Sequence, residues 1–154
     1  MKIIQSSNPR VTGRTEFNGA AEDITKLASG FTPRKAVVEI TLVGERKMAW
    51  LNRNYKGKKG AAEILTFCYS DEKDPFSPGG PVGEIYLCWN RLIAGAAKRR
   101  VSRHSWLLRL VVHGLCHVRG FVHGSEVESR RMEKAERRHL EGAVPVRTLD
   151  RMFE

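Results

Sequence analysis

The stretch SRHSWLLRLVVHGLCHVRG, residues 102–120, governs how the rest of the chain is read. From Trp106 to Val118 it is apolar on nearly every side, and a helix apolar all round is a buried one. Gly120 is a natural stop just past its end. A buried helix needs other elements around it, and the flanking sequence supplies them. KIIQ (2–5) has the character of a short strand, NGAAEDITKLAS (18–29) of a helix closed by Gly30, and KAVVEITLV (35–43) of a β-branched strand. GERKMAWLNRNY (44–55) reads as a helix with Met48, Leu51 and Tyr55 on one face. KGKKG (56–60) is a basic turn, AEILTFCY (62–69) a strand, and SDEKDPFSPGGP (70–81) a loop dense in Pro, Gly, Ser and Asp. VGEIYLC (82–88) is a strand and WNRLIAGAAKRR (89–100) a helix whose basic end suits the helix dipole. SEVESRRMEKAERRHL (125–140) is a charged last helix, with Ser125 and Glu128 in a capping-box pattern. The order β-α-β-α-β-β-α-α-α predicts an α+β fold: a single mixed sheet of about four strands, with the 102–120 helix packed centrally against it and further helices around.

The chain has 154 residues, so one domain spanning 1–154 is expected. That length buries roughly 70% of the unfolded surface without staples. There are 27 Lys and Arg against 17 Asp and Glu, a formal charge of +10, with an isoelectric point near 10.0. Such a field favours polyanions, nucleic acid first. Cys68, Cys88 and Cys116 are odd in number and form no C-x-x-C, which argues against a disulfide framework and for a reducing compartment. MKIIQSSNPR lacks the features of a signal peptide, and no apolar run approaches a membrane span. A cytoplasmic protein without membrane contact is expected.

Within and just beyond the central helix lies HGLCHVRGFVH, residues 113–123. It has the spacing of the zinc-hydrolase pattern H-E-x-x-H-x-x-G-x-x-H, with Gly114 where that pattern carries its catalytic glutamate. Residues four apart on a helix share a face, so His113 and His117 can address one point. Gly120 permits a turn that returns His123 as a third ligand. Three imidazoles without an evident fourth protein ligand suit an open catalytic zinc better than a closed structural one. Nickel, copper and iron also accept imidazole. Buried imidazoles need partners for their nitrogens, and a metal supplies one to each. Cys116 points round the helix toward the core and reads as a small buried hydrophobe. Gly114 costs about 1 kcal/mol relative to Ala in a helix; it admits close approach either of the sheet or of a substrate. His104 and His139 fall in charged surroundings and read as surface residues.

A protease of the H-E-x-x-H type uses its Glu as general base, and here that group is absent. A phosphodiester suits the surroundings better, since its transition state gathers negative charge that nearby cations stabilise. Two stretches carry such cations: Arg46, Lys47, Arg53, Lys56, Lys58 and Lys59 in the first, Lys98, Arg99, Arg100, Arg103 and Arg109 in the second. Trp50 and Tyr55 interleave the first, where they can stack on bases.

HGLCHVRGFVH resembles the H-G-x-L-H-L-x-G-Y-D-H signature of the YbeY family, in which the Gly after the first His is part of the pattern. Glu126, Glu128 and Met132 match positions beyond it. LNRNYKGKKGAAEILTF (51–67) resembles L-N-x-x-Y-R-x-K-D-x-P-T-D-V-L-S-F, and VGEIYLC resembles the family's G-D-I-x-I-C strand. The resemblance runs from about residue 51 to 132. It implies one zinc ion held by His113, His117 and His123, other divalent transition metals being possible. It implies a single-strand-specific endoribonuclease acting on ribosomal RNA in 16S-type 3′-end maturation and ribosome quality control, with ribosomal RNA and the small ribosomal subunit as partners. The family's functional arginine falls on Lys56, which keeps the charge but lacks the bidentate fork for phosphate. Val122 stands where the family has Asp, Glu63 replaces another Asp, Ala61-Ala62 replaces Pro-Thr and Lys59 replaces an Asp. A ribosome-associated RNA-binding factor with a mainly structural metal is the alternative; a metalloprotease is disfavoured by Gly114 and by the charge.

Overall fold

The computed structural model describes residues 1–31, 36–69 and 82–154. Along the chain run β1 (Lys2–Ser7), α1 (Arg14–Gly19), α2 (Ala21–Ala28), β2 (Val37–Val43), α3 (Glu45–Lys56), β3 (Ile64–Cys68), β4 (Gly83–Cys88), α4 (Trp89–Arg99), α5 (Arg103–Arg119), α6 (Glu126–Leu140) and α7 (Val146–Met152). The four strands form one mixed sheet in the order β1-β2-β4-β3. β1, β2 and β4 are parallel, and β3 returns antiparallel to β4 with Ile64 opposite Leu87. The α+β class and the single mixed sheet are as the sequence predicts.

Alternate residues of a strand face opposite sides. Val38, Ile40 and Leu42 of β2 and Ile85 and Leu87 of β4 are all fully buried and belong to the main core. Against that face lies α5, with Trp106, Leu107, Leu108, Leu110, Val111, Val112, Leu115 and Cys116 buried around it. α2, α4, α6 and α7 pack on its remaining sides, which is why its sequence shows no polar face. The Ser102 hydroxyl caps its start by accepting from the Ser105 N–H at 3.0 Å. Gly120, at φ 109°, closes its end in a conformation that favours glycine.

Gly114 sits where α5 touches the sheet. A Cβ there would stand 2.7 Å from Cδ1 and 3.0 Å from Cγ1 of Ile85. Of the two uses the sequence allows, close approach of the sheet is the one observed. The opposite sheet face carries a smaller cluster, in which Met48 and Leu51 of α3 cover Val43, Leu65 and Cys88.

The helix expected at 18–29 is α2, over 21–28, and a short helix that was not expected, α1, precedes it, the two meeting at Ala20. α1 is preceded by Gly13, at φ 90°, where a Cβ would collide with the Trp89 ring; that long-range packing leaves no local sequence signal. α7 was not expected either, and it forms because Leu149 and Met152 find buried places. β1 extends two residues past the expected strand because Ser6 and Ser7 continue the pairing with Thr41 and Leu42. Tyr55 is 61% exposed although it shares the helical face of Met48 and Leu51. His139 is half-buried and stacks on Phe31, with ring centroids 3.8 Å apart. Burial first, then Arg119 and Arg138, push its pKa below the ordinary histidine value. The surface assignment holds for His104, which pairs with Asp23 at 2.9 Å, and not for His139. The loop expected at 70–81 and the first residue of the strand expected at 35–43 lie outside the described residues.

Candidate metal centre and its cleft

His113 and His117, one turn apart on α5, present their Nε2 atoms to each other at 3.2 Å. His123 joins them from the segment between α5 and α6. Its ring centroid is 5.7 Å from that of His113 and 4.9 Å from that of His117. One nitrogen from each residue can be chosen so that all three lie within 4.8 Å of one another.

The outer nitrogens decide the protonation. The Nδ1 of His117 is 3.0 Å from the carbonyl oxygen of Phe121, which can only accept, so the proton is on Nδ1. The Nδ1 of His113 donates to the carboxylate of Glu136 at 2.5 Å. In the neutral rings both Nε2 atoms are therefore bare lone pairs facing one another. Two ligands at the usual Zn–N distance from a tetrahedral centre would stand about 3.3 Å apart, close to the observed separation. Two bare lone pairs at that distance repel unless a cation lies between them, so the donor set fits a zinc-like ion. Burial first, then the neighbouring His113, lower the pKa of His117, which keeps it neutral and ready to ligate.

Glu136 went unrecognised in the sequence. It is 2% exposed, bridges His113 to Arg109, and lies 3.1 Å from the Arg109 guanidinium. A signal existed: Met132, Glu136 and Leu140 follow one another at four-residue spacing and are the three buried residues of α6. An acid within an apolar stripe calls for a buried partner. Cys116, by contrast, is wholly buried in the core with its thiol pushed up to about 12, mainly by burial, as its reading as a hydrophobe requires.

The histidines open into a cleft of about 720 Å³ whose lining includes Asn52, Lys56, Lys58, Phe67, Tyr69 and Val122. Among the described residues none of its lining side chains is a carboxylate. One wall is β3, an edge strand. The Glu63 carbonyl accepts from the Cys88 N–H, and the Tyr69 N–H donates to Val82. Backbone groups alternate direction along a strand, so those of Ile64, Thr66 and Cys68 point to the edge that no strand among the described residues covers. The opposite lip is the turn after α3. The side-chain amide of buried Asn52 donates to the Gly60 carbonyl at 2.9 Å and its backbone carbonyl accepts from the Lys58 N–H at 3.2 Å, which pins the basic turn. Positive φ at Gly57 and Gly60 is what lets it curl.

The two basic stretches fare differently. Lys56 and Lys58 of the first line the cleft. In the second, Arg109 is salt-bridged to Glu136 and packed over Phe153 at 4.4 Å, Arg103 pairs with Glu16 at 3.3 Å, and Arg99 lies over the Trp106 ring at 4.1 Å. None of that stretch lines the histidine cleft. Glu63 is also remote from it: its carboxylate accepts from the Trp106 Nε1 at 3.1 Å and occupies the space left by Gly95.

The sequence profile of the family described as Endoribonuclease YbeY matches residues 4–143. A relative named Endoribonuclease YbeY in an Azoarcus species is 37% identical over 121 residues, covering 77% of this chain and 48% of the relative. One of the same name in Neorickettsia sennetsu is 31% identical over 103 residues, 67% of this chain and 70% of the relative. Another, in an Anaeromyxobacter species, is 32% identical over 143 residues, 92% of this chain and 72% of the relative. The chain thus spans between about half and three quarters of the length of these relatives. The solution structure of a Thermotoga maritima protein shares the fold at a TM-score of 0.56 and 21% identity, covering 91% of this chain and 89% of that one.

Proposed function

The chain belongs to the YbeY family, and from that premise we propose that it is a zinc-dependent endoribonuclease, one domain over residues 1–154, that cuts single-stranded segments of ribosomal RNA. Its place would be the cytoplasm and its partner the small ribosomal subunit, in 16S-type 3′-end maturation and ribosome quality control. Among the described residues no helix is long and apolar enough to cross a membrane.

The observation that carries the reading is the pair of bare Nε2 atoms in a cleft lined by lysines and free of carboxylates among its described residues. His113, His117 and His123 would hold the ion. Zinc bound there would acidify a water and polarise a phosphoryl oxygen. Glu136 and the Phe121 carbonyl fix the tautomers and aim of two of the ligands. Lys56 and Lys58 reach the cleft from the opposite lip, where their charges would meet the phosphate and the charge that grows on it. The edge of β3 that no strand among the described residues covers would offer backbone donors and acceptors to the strand being cut. The missing glutamate of the protease pattern has no substitute among the described lining residues, since Glu136 is committed to His113 and Arg109.

The test is elemental analysis of the purified protein, followed by incubation with structured ribosomal RNA with and without chelator. Stoichiometric zinc and chelator-sensitive cleavage lost in His113→Ala and His117→Ala are expected. RNA binding without metal-dependent cleavage would favour an RNA-binding factor with a structural metal instead.

A further inference from the structure

An aromatic ladder leaves the cleft. Phe67, in the cleft wall, meets Tyr55 edge-to-face at 5.4 Å, and Tyr55 meets Trp50 edge-to-face at 6.0 Å. Tyr55 is 61% and Trp50 50% exposed. The Nζ of Lys56 lies 5.3 Å from the Phe67 ring and that of Lys47 lies 4.5 Å from the Trp50 ring, so a cation accompanies each end. Isolated exposed aromatics are ordinary on a protein surface. Two in mutual contact, joined through a third to a candidate reaction centre and flanked by lysines, are not isolated.

We propose that Tyr55 and Trp50 form a stacking subsite for the unpaired bases next to the scissile phosphate of a single-stranded RNA; the proposal rests on the endoribonuclease reading above. The occupant is argued from charge and ring orientation. Lysines beside exposed rings match alternating phosphates and bases, whereas an apolar protein partner would meet uncompensated cations. The Trp50 and Tyr55 rings stand 74° to one another, so bases stacked on their exposed faces cannot lie parallel to each other and must have left their own stack, which a duplex does not allow. Base–aromatic stacking tolerates any sequence because every base has a π-face.

The protein carries its own reporter. Of three tryptophans, Trp89 and Trp106 are 2% and 1% exposed, so Trp50 alone faces solvent. The as-purified protein is mixed with a short oligoadenylate RNA by stopped flow, and tryptophan emission is read before product forms. Cleavage is followed in the same samples on gels. Rapid quenching is expected in the parent, with little quenching by duplex RNA. Affinity is read by anisotropy of a fluorescein-labelled copy of the oligonucleotide, because Trp50→Ala removes the reporter. It should fall roughly 5- to 150-fold in Tyr55→Ala and in Trp50→Ala and be retained in Tyr55→Phe. Unchanged emission with unchanged affinity in both alanine variants overturns the subsite, as does equal quenching by duplex or a failure to bind the oligonucleotide. Quenching without metal-dependent cleavage would retain the subsite and remove the endoribonuclease reading. Cleavage without quenching or affinity loss would do the reverse. Both residues are exposed, and a thermal melt matching the parent confirms that each variant is folded.

Discussion

The Glu136 carboxylate holds His113 with one oxygen and Arg109 with the other, at 2.5 and 3.1 Å. Arg109 is itself packed over Trp106 and Phe153, so the aim of one candidate ligand is set by the docking of α6 and α7 on α5. Glu136→Gln keeps the shape and removes the charge. It is expected to weaken zinc affinity about 10- to 100-fold, the usual effect of losing a carboxylate behind a ligating histidine. It should lower stability less than the alanine variant, since one acceptor oxygen remains for His113 or Arg109 while the other becomes an NH2 donor. Glu136→Ala strands a buried guanidinium and should cost about 3–5 kcal/mol of stability. Competition with a zinc chelator and urea denaturation measure the two. Equal zinc affinity in Glu136→Gln would deny the carboxylate its role.

Lys56 reaches the cleft from the end of α3. If it meets a phosphate, Lys56→Ala should lower kcat/KM on RNA by about 10- to 150-fold, the range of a lost charge-assisted hydrogen bond. Lys56→Arg should hold or raise the rate by adding a bidentate fork. A large loss in Lys56→Arg with zinc content intact would remove Lys56 from that role.

Gly114 is required by Ile85. In Gly114→Ala, overpacking of about 1–3 kcal/mol opposes about 1 kcal/mol of gained helix propensity. A net loss of stability up to about 2 kcal/mol is expected in urea denaturation. A stabilised variant would show that Ile85 yields freely. Gly114→Glu, which restores the protease pattern on paper, would drive a carboxylate into Ile85 and should fail to fold.

His139 is a base whose pKa falls on folding, through burial first and then Arg119 and Arg138. Its neutral form is the one the fold accepts. Its contribution is therefore intact above the unfolded value near 6.5 and is lost as pH drops through the lower folded value. His139→Phe preserves the stack on Phe31 and removes the proton. Stability measured from pH 7 downward should fall less steeply in the variant than in the parent. Parallel curves would exclude a contribution from His139.

Much was legible in the chain because it is local. Helical spacing placed His113 beside His117, Gly120 marked the turn that returns His123, and an apolar surface on every side declared α5 buried. The same local chemistry put lysines in the turn after α3. What the sequence by itself determined, then, was the fold class, the histidine triplet and the basic turn, since each depends on periods of a few residues. Tertiary structure alone decided the rest. It committed Arg109 to Glu136 rather than to solvent, assigned Gly114 to Ile85, took Glu63 away to Trp106, and brought the Tyr55 ring of α3 against Phe67 of β3. Each of those outcomes joins residues far apart in the chain, and the partner of a buried charge or ring is set by which elements dock, something no local period encodes.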